Sequence, residues 1–288
     1  MNNQTNDEKN YLKLLNKILT SGEESLDRTG VGTFRLFGEK LSFSLENDAI
    51  PLITTKRMFI RGIVEELLFF LRGESDTKKL EAKGVKIWKG NTTREFLDKR
   101  GLHYLPEGNM GKMYGKQWRD WGGTKDKKGI DQISETINLL KKDPYSRRIT
   151  VSALNVAELP EMSLHPCHPL FQFYVNDDKL SCLFFMRSVD MFLGFPFNIT
   201  SYAILTHIIA KITNLKSHRL IFMSGDTHIY KNHIEQVKEQ ISREPYDFPT
   251  LRITKELNSI EDIESLEFKD FVIEGYKSHP SIKAEMAV

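Results

Sequence analysis

LFQFYV (residues 170–175) and LSCLFFMRS (residues 180–188) flank the polar tetrad Asn176-Asp177-Asp178-Lys179. Two apolar, aromatic-rich runs of strand length around an Asp-Asp pair predict an antiparallel hairpin with Asp177 and Asp178 as its loop. Asn176 then faces Lys179, Phe173 faces Cys182, and Cys167 falls opposite Ser188 and next to Arg187. Pro166 and Pro169 disturb the ladder at that end, since neither donates a backbone hydrogen bond. A guanidinium is nonetheless brought close to a thiol, and such a neighbour favours the thiolate, the form that acts as nucleophile. Cys182 sits roughly 20 Å farther along the strands at their usual rise per residue. The two cysteines are therefore not bonded to each other, and Cys182 reads as core.

Working outward, residues 1–10 are polar and read as a loose tail, followed by a helix with Leu12, Leu15 and Leu19 on one face. Thr33 to Phe37 and Leu41 to Leu45, separated by Gly38-Glu39-Lys40, alternate like the strands of a second hairpin. Arg61 to Arg72 reads as a largely buried helix stopped by Gly73, and Ser75 as the cap of another ending near Gly84. Asp131 to Lys142 is amphipathic and helical, Arg148 to Leu154 a strand, and Asn198 to Ile212 an apolar helix crossing the core. Thr227 to Ile241 reads as a further helix. Asn91 to Met110 and Gly122 to Gly129 read as surface excursions. Strands and helices interleave without a regular βαβ beat, so the expected fold is α+β. It is one domain over residues 1–288, with a large mixed or antiparallel sheet flanked by helices.

The chain has 288 residues, 40% hydrophobic and 28% charged, with a net charge of +2 and two cysteines. That length supports a full core without disulfides. The near-zero charge excludes a general nucleic-acid or membrane-surface binder and confines any anion site to a local cluster. Few cysteines and no leader fit a reducing, cytoplasmic compartment. The run from Phe195 to Ile212 is broken by Asn198, Thr200, Ser201 and His207, so no membrane span is expected. His165, Cys167 and His168 are too closely spaced for a zinc finger and no CxxC exists, so no metal is expected. Gly30 to Gly32 is too short for a dinucleotide fingerprint and reads as a flexible loop. Arg28, Arg147, Arg148 and Arg187 suit a compact dianion such as phosphate, whose oxygens guanidinium forks hold in pairs. Glu66 lies in an apolar helix, where an unpaired carboxylate is costly and points to function.

Nine strings in order carry a resemblance spanning about Leu26 to Val288: LDRTGVGT, PLITTKR, EELLFFLRG, MYGKQWR, DPYSRRI, HPCH, RSVDMFLGFPFNI, GDTHIY and FVIEGYKSHPSIKAEMAV. The sequence resembles the folate-dependent thymidylate synthase family, and Asn91 to Met110 is similar to an insertion of its eukaryotic-type and some viral members. The resemblance implies methylation of dUMP at carbon five of uracil by methylenetetrahydrofolate, a co-substrate that leaves as dihydrofolate. It implies a homodimer packed through a sheet face, with shared active sites. It places the nucleophile at Cys167, phosphate contacts at Arg28, Arg187 and Ser188, and Arg147 and Arg148 reaching in from the other subunit. It assigns the uracil-reading amide to Asn198, the deoxyribose contacts to His228 and Tyr230, and proton handling to Glu66 and Tyr114. Asp190 serves both base and pterin. Ile87, Trp88, Asn91, Leu193, Gly194, Phe197, Ala287 and Val288 form the folate wall and closing tail.

The chain departs from the family pattern at four places. Met186 replaces a glutamine, Lys112 a proline, Leu154 a tryptophan and Phe69 a tryptophan. Met186 is expected to cost a hydrogen bond near the thiol, and Lys112 to loosen its loop. A deoxycytidylate hydroxymethylase of the same fold carries aspartate at the position of Asn198, so the amide favours uracil. Binding of its own message would be secondary given the modest charge. A cysteine hydrolase is disfavoured because His168 adjoins Cys167 on a β-patterned segment and should point to the other face.

Overall fold

In the structure, a computed structural model describing residues 3–26 and 29–285, Asp177 takes φ +54°, a left-handed turn conformation that aspartate tolerates. The turn pairs β5 (Leu170–Asn176) with β6 (Lys179–Asp190) in the expected register, Asn176 opposite Lys179 and Phe173 opposite Cys182. Beyond β5 the contact persists past Pro169, because the Arg187 N–H donates to the Cys167 carbonyl at 2.8 Å.

Among the described residues this hairpin supplies two strands of a seven-stranded sheet in the order β1-β2-β7-β6-β5-β4, with β3 also paired to β7. The remaining strands are β1 (Glu23–Ser25), β2 (Thr33–Phe37), β3 (Lys40–Ser44), β4 (Thr150–Ser152) and β7 (Lys216–Tyr230). β6 and β7 run parallel while the other pairs are antiparallel, so the sheet is mixed and the fold α+β. A parallel pair needs a long crossover, here α7 (Gly194–Thr213), which is buried on nearly every side. Leu180, Cys182, Phe184 and Met186 face it from alternate positions of β6, and Tyr202 of α7 stacks on Phe184 at 4.3 Å. The other helices are α1 (Asn3–Ser21), α2 (Ile60–Leu71), α3 (Lys78–Glu81), α4 (Arg94–Lys99), α5 (Tyr114–Arg119), α6 (Gln132–Lys142), α8 (Ile234–Ile241) and α9 (Ile260–Glu264). β8 (Thr250–Ile253) and β9 (Phe271–Glu274) form a separate two-stranded sheet that the sequence reading missed.

Five expectations need correction. The segment read as a loose tail is helical from Asn3, because Glu8 is buried and binds Thr54 and Thr55. β2 and β3 do not form a hairpin. Both pair with β7 in succession, and the glycine between them, Gly38 at φ +83°, shifts the chain along β7 while its N–H bonds Gly225. Thr227 to Tyr230 ends β7 and is not the start of a helix, which begins only at Ile234. The helix expected from Ser75 shrinks to Lys78–Glu81. The stretch 91–110, read as a surface excursion, contains α4 and buries Leu97, Leu102 and Met110.

Candidate active site

Cys167 lies in a bend just before β5, half-buried, with its backbone N–H donating to the Tyr114 hydroxyl at 2.7 Å. Arg187 approaches the sulfur with Nη2 at 3.8 Å. The same guanidinium donates to the carbonyls of Pro166 and His165, both at 2.9 Å, so its position is held by the backbone that carries the thiol. Neither cysteine forms a disulfide, and burial pushes the Cys182 thiol up to about 12, which makes it inert as a nucleophile. The expected thiol–guanidinium contact is thus present.

Glu65 and Glu66 are neighbours on α2, yet their surroundings differ. Glu65 pairs with Lys83 at 2.6 Å, whereas Glu66, among the described residues, accepts only the Trp88 indole N–H, at 2.7 Å. Burial without a compensating cation raises the Glu66 carboxyl to about 7, against the opposing Trp88 hydrogen bond. Glu66 shares a small cavity with His168 and Asn198, lined also by Trp118, Ser201 and Tyr202, which the sequence reading did not single out. Tyr114 stacks on the His168 ring at 3.9 Å, and burial holds its phenol protonated, well above the ordinary tyrosine value. The His168 Nδ1 meets the Tyr202 hydroxyl at 2.8 Å, and burial drives its pKa down to about 3. That ring is a neutral packing element set between aromatic side chains. It is kept from serving as base by this burial, and not by strand alternation as expected.

At the β6–α7 junction, Asp190 Oδ1 accepts the N–H groups of Phe192 and Leu193 at 2.9 and 3.2 Å. Asn198, on the first turns of α7, donates one amide hydrogen to the Gly194 carbonyl at 3.1 Å, which leaves its oxygen and second hydrogen for a ligand. Asp190 faces His228 across the parallel pair, and Ser188 faces Asp226. Asp226, His228 and Tyr230 alternate on β7, so their side chains share one face. The His228 Nδ1 contacts Asp226 at 2.7 Å, which lowers the Asp226 pKa, and Arg35 adds a contact at 3.3 Å. Asp226 and Arg35 were missed, although the D-x-H-x-Y spacing carries the signal for the aspartate. Lys56 was also missed. It is buried against the Phe192 ring and carbonyl, and burial lowers its pKa to about 7 despite the nearby Asp190 charge.

Ile87, Trp88, Leu193 and Phe197 are each partly buried and pack against the core, and Gly194 is half-buried. Asn91 is buried, and its N–H donates to the Trp88 carbonyl at 3.1 Å. Arg147 and Arg148 are exposed ahead of β4 and do not reach their own thiol. β4 pairs so that Arg148 falls beside Tyr174, roughly 20 Å along β5 from Cys167 at a strand's rise. Arg28, Ala287 and Val288 lie outside the described residues.

One departure resolves differently from expectation. Met186 belongs to the buried face of β6, so its thioether packs in the core and does not line the cleft. Lys112 is held by ion pairs. Its ammonium pairs with Glu158 at 2.8 Å and Glu161 at 3.2 Å, tying 112 to the segment that precedes the nucleophile.

A family model described as Thymidylate synthase matches residues 9–288. The chain is 48% identical over 98% of its length to a thymidylate synthase of Agaricus bisporus, of which 99% is covered. It is 47% identical to that of Ascaris suum, with 99% of each chain covered. It is also 46% identical to a bifunctional dihydrofolate reductase-thymidylate synthase of Leishmania major, covering 99% of this chain and 56% of that protein.

Proposed function

We propose that this chain, which belongs to the thymidylate synthase family, methylates dUMP at carbon five of uracil through a covalent bond from Cys167 to carbon six. The observation that carries the reading is the Cys167 sulfur at 3.8 Å from a guanidinium that the thiol's own backbone holds in place. A soft thiolate adds reversibly to carbon six, and the ring electrons move onto carbon five and the carbon-four oxygen. This turns a poorly nucleophilic carbon into an enolate. Asn198 then presents one donor and one acceptor to the uracil edge. Glu66, with a carboxyl near neutrality in the cavity it shares with Asn198, can accept and return a proton at working pH.

Arg187 and Ser188, with Arg28, are the groups we assign to the phosphate of dUMP, and His228 with Tyr230 to the deoxyribose hydroxyl. The Asp226 contact fixes the His228 ring and leaves Nε2 for the sugar. We assign the partly buried apolar side chains of Ile87, Trp88, Leu193 and Phe197 to the flat folate ring, with Asn91, Gly194 and Asp190 at its edge and Ala287-Val288 closing over it. Bound there, methylenetetrahydrofolate supplies the one-carbon unit and the hydride. We assign the shared-site homodimer to the open sheet face, where Leu170, Tyr174 and Met223 are exposed and Leu183 and Phe185 half-buried. Packing that face on a second copy is the route by which Arg147 and Arg148 would serve the other subunit's phosphate site.

The test mixes the protein with dUMP and methylenetetrahydrofolate and follows dihydrofolate formation. Wild type turns over and Cys167→Ala does not, while Asn198→Asp shifts preference toward dCMP. Turnover by Cys167→Ala would end the assignment, and unchanged base preference in Asn198→Asp would remove the amide from its role.

A further inference from the structure

Residues 163–169, which deliver Cys167, belong to no strand, so the position of the sulfur depends on what grips their backbone. One grip is the chain leading into α5. The Ser163 N–H donates to Met110 at 3.0 Å, the Lys112 N–H donates to Glu161 at 3.2 Å, and Gly111 bridges to Met162. Gly111 sits at φ +71°, and a Cβ there would meet the Glu161 carbonyl at 1.9 Å. A second grip is Arg187, on the carbonyls of His165 and Pro166. The third is Arg100, whose Nε donates to the Ser163 carbonyl at 3.2 Å and whose Nη2 donates to that of Met162 at 3.4 Å.

Arg100 is itself well anchored. It closes α4, its N–H bonds the Phe96 and Leu97 carbonyls, Thr93 caps the helix start, and Leu97 is fully buried. Two guanidiniums therefore hold consecutive carbonyl pairs on either side of Leu164.

We propose that Arg100 is a positioning residue for the nucleophile: by holding the Met162 and Ser163 carbonyls from the 91–110 stretch, it sets how Cys167 meets Arg187. Arg100 does not touch substrate. The inference rests on reading Cys167 as the nucleophile, and its first readout needs no substrate.

The full-length chain is compared with Arg100→Leu, which removes the fork but keeps an apolar stem, and with Arg100→Lys, which keeps one donor. Ligand-free protein is treated with iodoacetamide, and Cys167 alkylation is followed by mass spectrometry, with the buried Cys182 as unreactive internal reference. Charge-assisted hydrogen bonds to a backbone segment are strong enough that Arg100→Leu should react about tenfold more slowly per folded molecule. Arg100→Lys should recover part of that loss. With dUMP and folate, kcat of Arg100→Leu falls by about the same factor while KM for dUMP stays within about twofold. Should Arg100→Leu fail to fold, Arg100→Gln carries the same expectation of slowed alkylation. A variant that alkylates at or above the parent's rate, or that differs only in melting temperature, overturns the proposal. If the alkylation difference is found but no form converts dUMP, the assigned reaction fails while the positioning role stands.

Discussion

Replacing Glu66 with glutamine isolates the energetic cost of the carboxylate beside Asn198 and His168. The side chain is half-buried on α2, and among the described residues its hydrogen-bond partner is the Trp88 indole, whose N–H an amide oxygen accepts equally well. Burial raises its pKa from 4.5 to about 7, so the folded chain keeps a proton that the unfolded chain has already lost. A shift of that size is worth about 3 kcal/mol at roughly 1.4 kcal/mol per unit. The sign follows from proton counting. The contribution is fully present below pH 4.5, is lost as pH rises, and is gone once pH passes about 7, where ionised Glu66 must sit unpaired in the core. Glutamine does not titrate. Urea unfolding of ligand-free wild type and Glu66→Gln, at fixed protein concentration from pH 5 to pH 8.5, should show a stability gap opening in favour of the variant by about 2–3 kcal/mol. Parallel stability profiles, or a gap that closes as pH rises, would refute the argument that desolvation sets this carboxyl.

Glu8→Ala should destabilise the chain by roughly 2–4 kcal/mol, because it strands the buried N–H groups of Thr54 and Thr55, now bonded to Glu8 at 3.0 and 2.9 Å. A urea midpoint shift equivalent to under about 1 kcal/mol would show those groups find other partners. Lys112→Met keeps the stem and removes the pairs to Glu158 and Glu161, so a loss of about 1 kcal/mol is expected at low salt. That loss should shrink at molar salt, and a salt-independent difference would mean the ion pairs contribute nothing.

The hairpin, the amphipathic α6 with its Asp131 cap and the apolar α7 were legible because each depends on interactions between residues close in sequence. The turn at Asp177 sets the register of β5 and β6, and that register carries Arg187 to the end of the hairpin where the thiol lies. β7 was not legible over its whole length. It lies within the sheet beside a parallel neighbour, and such strands lose the clean alternation that marks a half-exposed one. Gly38-Glu39-Lys40 reads equally well as a turn or as a step along a partner strand, and only β7 lying alongside selects the step.

The site divides the same way. Residue types and their order along the chain pointed to Cys167 and the arginines, since a nucleophile and guanidinium forks have chemistry that does not depend on location, whereas Asn198 and His228 came from the family resemblance alone. Location decided the rest: Lys83 folds onto Glu65, whereas Glu66 meets the Trp88 indole and the cavity beside Asn198. Likewise, Lys112 becomes a tie only where Glu158 and Glu161 meet it. Local pattern is set by steric and hydrogen-bonding preferences within a few residues, whereas the cost of a buried charge depends on groups far away in sequence that arrive only when the chain has folded.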